Sequence, residues 1–362
     1  MPLSLPDFPW DELAGAKTRA AAHPDGLIDL SVGSPVDDTP ERARLALQAA
    51  SNAHGYPTAF GAKATRDALS TWWRQVRGAS AVDSTSVMPT VGSKEMVGLL
   101  PLLLGLGAAD TLVIPPIAYP TYEVGATLVG ATVVAEADPA LWPDSASLIW
   151  LNSPSNPTGE VLGVDYLRRA VARAREVGAV LVSDECYALL GPDSTPRSTS
   201  LLADEVTEGD LSGLLALYSL SKQSHLAGYR AAMVAGDPAL IQEILLPRRH
   251  LGLIVPEPIQ QVMAELVSHP EDTDAVREMY QARRSVLKAA LEAAGWRIEG
   301  GGAGLYLWAT NGSDSTASVD WFAERGILVA PGHFYGTAGA SHVRIALTAT
   351  NDQISQVAAR LA

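Results

Sequence analysis

Short apolar segments alternate with segments of helical period through the middle of the chain, and this pattern limits the possible folds more than any other feature. Strands are predicted at residues 111–114, 147–152, 179–183, 214–218 and 231–235. Helical period is found between them, as at 93–104 and 164–177. Such alternation is typical of an α/β fold in which helices cover both faces of a mostly parallel central sheet. Ligands of these sheets bind at the carboxyl ends of the strands.

The C-terminal third of the chain has a different pattern, in which helical segments precede strand-like segments at 305–308, 327–329 and 343–347. This order predicts a smaller α+β domain, and 362 residues are enough for two or three folding units. The predicted units are 1–40, an N-terminal segment belonging to the small domain, 41–240, the large domain, 241–275, a connecting helix, and 276–362, the small C-terminal domain.

Composition excludes several classes of function. The net charge of −14 argues against a nucleic-acid partner, which requires a concentrated cationic face. The first ten residues have no cationic start and apolar run, and the most apolar stretch, 97–109, is shorter than the roughly 20 residues that span a bilayer. We therefore expect a cytoplasmic protein without a membrane partner. The single cysteine, Cys186, and seven scattered histidines give no metal site, and Cys186 is predicted to be a core thiol.

Lys222 follows an apolar strand, with hydroxyls at Ser219 and Ser221 before it and Arg230 eight positions later. A lysine amine condenses with an aldehyde only when part of it is neutral, which burial and nearby positive charge favour. The hydroxyls and the arginine suit a phosphate dianion. This order of residues indicates a lysine that forms a Schiff base beside a bound phosphate.

Two further polar groups, Asp184 and Asn156, also fall just past predicted strands. Alone, an Asp–Glu pair after a strand is more often a helix cap, and Asn156-Pro157 more often a plain turn. A helix is also predicted to begin at Ser93, and backbone amides at a helix N-terminus bind phosphate readily.

Taken together, these segments resemble the fold-type I pyridoxal 5′-phosphate (PLP) enzymes, in particular the class I/II aminotransferases, over nearly the whole chain. Segment 183–187 (Ser-Asp-Glu-Cys-Tyr) resembles the family's Asp-Glu-x-Tyr element, and 156–159 (Asn-Pro-Thr-Gly) its Asn-Pro-x-Gly turn. The resemblance implies that Lys222 carries the cofactor and moves the substrate's α-proton, and that Asp184 keeps the pyridine nitrogen protonated. Tyr187 and Asn156 then bond to the cofactor's phenolic oxygen.

The resemblance also assigns the remaining cofactor contacts. Ser93 and Lys94 supply backbone amides to the phosphate, joined by Ser219, Ser221 and Arg230. Lys94 departs from the small residue that the family often has at its position. Tyr119 stacks on the cofactor ring. Tyr56 resembles the tyrosine that reaches the neighbouring subunit's phosphate, which implies a homodimer with shared active sites.

For the substrate, Arg344 matches the family's arginine for the α-carboxylate, which a planar guanidinium binds through two parallel hydrogen bonds. Gly33 resembles part of the N-terminal loop that closes over substrate. Arg248 and Arg249 are candidates for distal carboxylates, but surface positions on a helix are slightly favoured for both. His225 is either a contact to the site or a structural residue.

Within the family, the short chain and its Lys-poor composition resemble the actinobacterial N-succinyldiaminopimelate aminotransferases. No motif in the sequence identifies a residue that binds the succinyl group. The implied reaction takes an amino group from glutamate to N-succinyl-2-amino-6-ketopimelate by a ping-pong mechanism, with 2-oxoglutarate as the other product. The alternatives are an aminotransferase for aspartate, an aromatic or another amino acid, and a carbon–sulfur β-lyase on the same fold. A PLP-binding regulator is disfavoured because the chain is acidic and no added DNA-binding module is recognised.

Overall fold

The computed structural model describes residues 5–192 and 198–362. The strands are β1 (Ile28–Asp29), β2 (Val87–Val91), β3 (Thr111–Ile114), β4 (Thr132–Ala135), β5 (Ala146–Asn152), β6 (Val180–Asp184), β7 (Leu214–Ser219), β8 (Ala231–Gly236), β9 (Arg297–Glu299), β10 (Tyr306–Thr310), β11 (Ile327–Leu328), β12 (Ala330–Pro331) and β13 (Val343–Ala346). The α-helices are α1 (Ala14–Ala21), α2 (Glu41–Ala49), α3 (Lys63–Arg77), α4 (Ser93–Leu103), α5 (Thr121–Val129), α6 (Val164–Val177), α7 (Asp204–Thr207), α8 (Leu220–Gln223), α9 (Pro238–Leu251), α10 (Glu257–Val267), α11 (Asp272–Ala293), α12 (Ser315–Ala323) and α13 (Asn351–Leu361). Short 3-10 turns include Pro9–Leu13 and Gly332–Tyr335.

The large sheet has the strand order β2-β8-β7-β6-β5-β3-β4. Its pairs from β7 through to β4 are parallel, and β8 runs antiparallel to both of its neighbours. This confirms the predicted α/β fold with a mostly parallel sheet. Within β7, Ala216 and Tyr218 contact one hydrophobic cluster while Leu215 and Leu217 contact another. The strand is therefore buried on both faces, which is why its sequence is a continuous apolar run.

The five predicted strands are confirmed to within one residue at each end. Two strands at the edges of the sheet were not predicted. β2 contains Pro89, which normally argues against a strand but is tolerated at a sheet edge. β4 has no fully buried residue, so its sequence carries no buried run.

The prediction of one connecting helix over 241–275 is wrong. This range contains the end of α9, all of α10 and the start of α11. Gly252 ends α9 in a left-handed conformation with φ of 70°, which glycine adopts at little cost. α10 packs on the large domain, where Gln260 accepts a hydrogen bond from the Ala62 amide at 2.8 Å. The long connection is α11, which packs against α13.

The C-terminal part contains the antiparallel sheet β12-β13-β10-β9. β1, near the N-terminus, pairs in parallel with β11, and the Ala346 amide donates to the Leu30 carbonyl at 2.9 Å. These contacts join the start of the chain to its last strands. The exact limits of the domains stay a prediction.

Candidate active site

A cavity of about 420 Å³ lies at the carboxyl ends of the parallel strands, between the large sheet and the small domain. All but one of the predicted site residues line this cavity. These are Gly33, Ser93, Lys94, Tyr119, Asn156, Asp184, Tyr187, Ser219, Ser221, Lys222, Arg230 and Arg344. Tyr56 does not line the cavity, and its side chain is fully exposed. A role for Tyr56 in a partner subunit stays a prediction.

Lys222 lies in α8, which directly continues β7 into the cavity. Its Nζ donates a hydrogen bond to the Gly33 carbonyl, so the amine reaches across from the large domain to the N-terminal segment. Burial lowers the pKa of Lys222 below its usual value, and the positive charges of Arg344 and Arg230 act in the same direction. A lowered pKa leaves more of the amine neutral and nucleophilic at a given pH.

Asp184 ends β6 and is buried beneath the cavity. Its carboxylate accepts hydrogen bonds from the Tyr122 hydroxyl at 3.0 Å and the Cys186 amide at 3.2 Å. Burial raises the pKa of Asp184, because the charged form has lost its water. A cationic ring nitrogen placed beside it would satisfy that charge.

No sequence motif singles out Tyr122, although it belongs to the same segment as Tyr119. Its ring stacks on Trp150 with centroids 4.9 Å apart, which fixes the hydroxyl that bonds to Asp184. Tyr119 lines the cavity and precedes α5, whereas Tyr122 is the second residue of that helix.

One end of the cavity is suited to a phosphate. The N-terminus of α4 opens here, and within the described chain no side chain caps its amides. The Ser219 hydroxyl donates to the Ser221 hydroxyl at 2.9 Å, and Arg230 faces Gly92 so closely that a Cβ at Gly92 would overlap the guanidinium. Helix amides, hydroxyls and a guanidinium together are the donors that a phosphate prefers.

Arg344, in β13, is buried on the opposite side of the cavity. It donates to Asn156 Oδ1 at 2.9 Å and to the Ser31 carbonyl at 2.6 Å, and its guanidinium lies 4.0 Å from the centre of the Tyr306 ring. Its Nε is buried and has no hydrogen-bond partner among the described residues. A buried cation with an unused donor is suited to a carboxylate ligand.

Tyr306 was also missed from the sequence. Its hydroxyl lies 3.1 Å from that of Tyr187, and a Cβ at Gly33 would overlap its ring. Burial favours a raised pKa for Tyr306, but the charges of Arg344 and Lys222 outweigh it and lower the pKa. Tyr306 therefore supplies a polar hydroxyl between the reactive amine and the carboxylate site. Its position in an apolar strand gave no signal of this role.

The N-terminal 3-10 turn and the residue before it contribute Trp10 and Phe8 to the cavity. Trp10 Nε1 donates to the Ser31 carbonyl at 3.3 Å, and the Trp10 ring lies 5.9 Å from the Arg344 guanidinium. No motif predicted these aromatic residues.

Three other residues have clear positions. Arg248 is fully buried and donates to a Glu95 carboxylate oxygen at 2.5 Å, so its predicted surface position is wrong, whereas Arg249 is exposed. His225 does not line the cavity; its ring contacts the Asp38 carbonyl at 3.3 Å. Cys186 is buried, as predicted, and lines the cavity.

Comparison with known proteins agrees with this arrangement. The family model described as aminotransferase class I and II matches residues 25–361. The chain belongs to the class I and II aminotransferases. It is 50% identical over 99% of its length to the "probable aminotransferase Rv1178" of Mycobacterium tuberculosis, of which it covers 85%.

Two further similarities concern proteins with more specific names. The chain is 49% identical, over 99% of both proteins, to the "4-dedimethylamino-4-oxo-anhydrotetracycline transaminase OxyQ" of Streptomyces rimosus. It superposes with a TM-score of 0.87 on a structure described as a "probable N-succinyldiaminopimelate aminotransferase" from Thermus thermophilus, at 26% identity and covering 98% of this chain and 99% of the other.

The fold is therefore fold-type I, whose aminotransferases use PLP. The residues of this site fit that cofactor: a partly buried amine for the aldehyde, a buried carboxylate for the pyridine nitrogen and an anion site for the phosphate. Along the described parts of the chain, no helix has both the length and the apolar character to cross a membrane.

Proposed function

We propose that this aminotransferase takes its amino group from glutamate and transfers it to a 2-oxo acid with an acidic side chain, with N-succinyl-2-amino-6-ketopimelate as the first candidate. The observation that carries the proposal is the buried Arg344, which lines the same cavity as Lys222 and whose Nε has no hydrogen-bond partner among the described residues. The N-succinyldiaminopimelate name of the similar Thermus thermophilus structure supports the candidate acceptor.

In the proposed reaction PLP supplies an electron sink for negative charge at the substrate's α-carbon. Arg344 binds the α-carboxylate and so orients the α-carbon toward the amine. Lys222 Nζ, with its pKa lowered by burial, accepts the α-proton and later returns a proton. With PLP bound, the Asp184 carboxylate would stabilise a positive charge on the pyridine nitrogen. The side-chain amide of Asn156 would donate a hydrogen bond to the cofactor's phenolic oxygen, while its Oδ1 accepts a hydrogen bond from Arg344.

A second candidate acceptor is a polycyclic ketone of the kind named for the Streptomyces rimosus relative. The observation that favours it is the pair of aromatic rings of Phe8 and Trp10, which line the cavity with centroids 5.4 Å apart and suit a flat, unsaturated body.

Half-reactions with single amino donors distinguish these functions. The visible absorbance of the PLP-loaded protein should fall on addition of glutamate and of N-succinyldiaminopimelate. Conversion by an amino-tetracycline but not by N-succinyldiaminopimelate would favour the second acceptor. Release of pyruvate and ammonia from a cysteine-like substrate, without any need for a 2-oxo acid, would identify a carbon–sulfur β-lyase and overturn both.

We also propose a homodimer in which Tyr56 completes the partner's phosphate site, which is consistent with its full exposure in the single chain. The test mixes a Tyr56→Phe chain with a Lys222→Ala chain. In the mixed dimer one site has both an intact lysine and the partner's intact tyrosine, so activity should return. No recovery on mixing would place Tyr56 in its own chain's site, and full activity of Tyr56→Phe alone would remove it from the site.

A further inference from the structure

The hydroxyls of Tyr187 and Tyr306 lie 3.1 Å apart at the place where the large sheet meets the small domain. Tyr187 follows β6, whereas Tyr306 begins β10. Both side chains are buried, and both line the cavity. Among the described residues, each of these hydroxyls has only the other as a hydrogen-bond partner. The two side chains therefore form a pair in which one hydroxyl donates and the other accepts.

The surroundings of Tyr306 hold its ring in place. The centre of the ring lies 4.0 Å from the Arg344 guanidinium. On the other side, the N-terminal segment approaches so closely that a Cβ at Gly33 would overlap the Tyr306 hydroxyl. A ring fixed from two sides presents its hydroxyl to Tyr187 in one geometry, which makes the hydrogen bond a constant feature of the site.

Charge determines which hydroxyl is the better donor. The positive charges of Arg344 and Lys222 lower the pKa of Tyr306, whereas burial raises the pKa of Tyr187. The more acidic hydroxyl of a pair donates more strongly. Burial raises the pKa of the other titratable groups around Tyr306, so they are neutral near pH 7: Tyr119, Tyr280, Tyr335 and Cys186.

We propose that Tyr306 is a positioning residue for the cofactor, whose hydroxyl donates a hydrogen bond to the Tyr187 hydroxyl and so directs the Tyr187 proton to the phenolic oxygen of PLP. A phenol carries one proton but can also accept a hydrogen bond, so Tyr187 serves both partners at once. The two hydroxyls and the phenolic oxygen form a hydrogen-bond chain that begins in the small domain. The proposal depends on the predicted contact between Tyr187 and the cofactor but not on the identity of the substrate.

The chain has a measurable effect on the Schiff base of Lys222. A donor that itself accepts a hydrogen bond is polarised and donates more strongly. Stronger donation from Tyr187 stabilises negative charge on the phenolic oxygen, and an oxygen stabilised in this way holds the neighbouring proton of the Schiff base less tightly. Tyr306 should therefore lower the pKa of the Schiff base, and removal of its hydroxyl should raise that pKa.

The experiment is a pH titration of the visible absorbance of the PLP-loaded protein, without any substrate. Tyr306→Phe removes the hydroxyl and keeps the ring against Arg344. We expect the pKa of the Schiff base to rise by roughly 0.3 to 1 pH unit in this variant. Tyr335→Phe is the matched control, because Tyr335 is also buried, its ring lies 5.1 Å from the Arg344 guanidinium, and its hydroxyl has no hydrogen-bond partner among the described residues. It should keep the wild-type pKa.

A double variant tests whether Tyr306 acts through Tyr187. Tyr187→Phe should raise the pKa of the Schiff base by more than Tyr306→Phe does, and the combined variant should match Tyr187→Phe alone. Additive shifts would show that Tyr306 acts on the cofactor directly and would overturn the chain. An unchanged pKa in Tyr306→Phe, or in Tyr187→Phe, would also overturn it.

The cofactor-free protein gives a second readout that needs no PLP. Ultraviolet absorbance reports the ionisation of tyrosine, and one tyrosine of the wild type should ionise below the usual tyrosine range. This early ionisation should be missing in Tyr306→Phe and present in Tyr335→Phe. Its absence from the wild type would refute the direction of donation. None of these titrations uses an amino donor, so a wrong choice of substrate under the proposed function would leave their results unaltered.

Discussion

The two walls of the active site are built in different ways. The floor consists of residues at the ends of the large sheet's strands: Asn156, Asp184, Ser219, Lys222 and Arg230. The roof consists of residues from both ends of the sequence: Phe8, Trp10, Gly33, Tyr306 and Arg344. The floor has the groups that suit the cofactor, whereas the roof has those that suit the substrate. This separation implies that changes in the floor and in the roof should be distinguishable by experiment.

Lys222→Ala removes the reactive amine from the floor and should have the largest effect. We expect the cofactor's characteristic visible absorbance to disappear and turnover to fall by about 10³-fold or more. Spectra and steady-state rates measure both. Lys63→Ala, an exposed lysine paired with Asp67 on α3, is the control. Retained full activity of Lys222→Ala would contradict the assignment of the whole floor.

Asp184→Asn should lower kcat by roughly 10²-fold, because the buried negative charge that stabilises the protonated ring is lost. The folding stability of the cofactor-free protein, in contrast, should not fall in this variant. The pKa of Asp184 is raised by burial, so its ionised form destabilises the folded, cofactor-free chain as pH rises above the usual carboxyl range. At pH 7 the cofactor-free variant should unfold at a temperature no lower than the wild type.

Thermal unfolding at several pH values tests this prediction. Any advantage of Asp184→Asn should shrink as the pH falls and the wild-type carboxyl becomes protonated. The opposite result would be a stability difference between Asp184→Asn and the wild type that is less favourable to the variant at pH 7 than at pH 4. It would show that the cofactor-free protein already stabilises the charge of Asp184.

Arg344→Lys keeps a positive charge in the roof but removes the planar pair of donors. We expect kcat/KM to fall roughly tenfold to a hundredfold for every α-amino acid, while the dissociation constant for PLP is unchanged. Arg249→Lys, on the exposed face of α9, is the control. Loss of PLP affinity in Arg344→Lys would show that the roof also holds the cofactor.

Gly33→Ala should have the smallest effect and the one most confined to the roof. A Cβ at this position would overlap the Tyr306 ring, so the N-terminal segment must shift. We expect KM for the amino donor to rise several-fold, up to roughly tenfold, with PLP binding unchanged. Tyr306→Phe in the same chain removes the overlapping hydroxyl and should recover part of the loss. Absence of any coupling between the two changes would argue against their contact.

The difference between the floor and the roof also explains which site residues could be predicted from the sequence. Asp184 ends a buried apolar strand and Lys222 follows another, so a local pattern and a general rule about strand ends locate them. Tyr306 and Trp10 belong to segments whose sequence reads as ordinary packing, and only the tertiary fold brings them beside Arg344. Arg344 itself was identified by resemblance to a family and not by any local pattern.

The missed elements of the fold have local causes. Strand β2 was missed because its proline argues against a strand, and β4 because it lacks a buried apolar run. The end of α9 was missed because helical period continues on both sides of Gly252.

The pairing of β1 with β11 has a consequence for synthesis on the ribosome. Domains generally fold in order as the chain emerges, N-terminal units first. The strands that carry the floor are complete once β8 has emerged, at Gly236, but β1 has no partner until residues 327–328 are made, and Arg344 comes later still. A nascent chain thus acquires the groups that suit the cofactor before it can recognise any substrate.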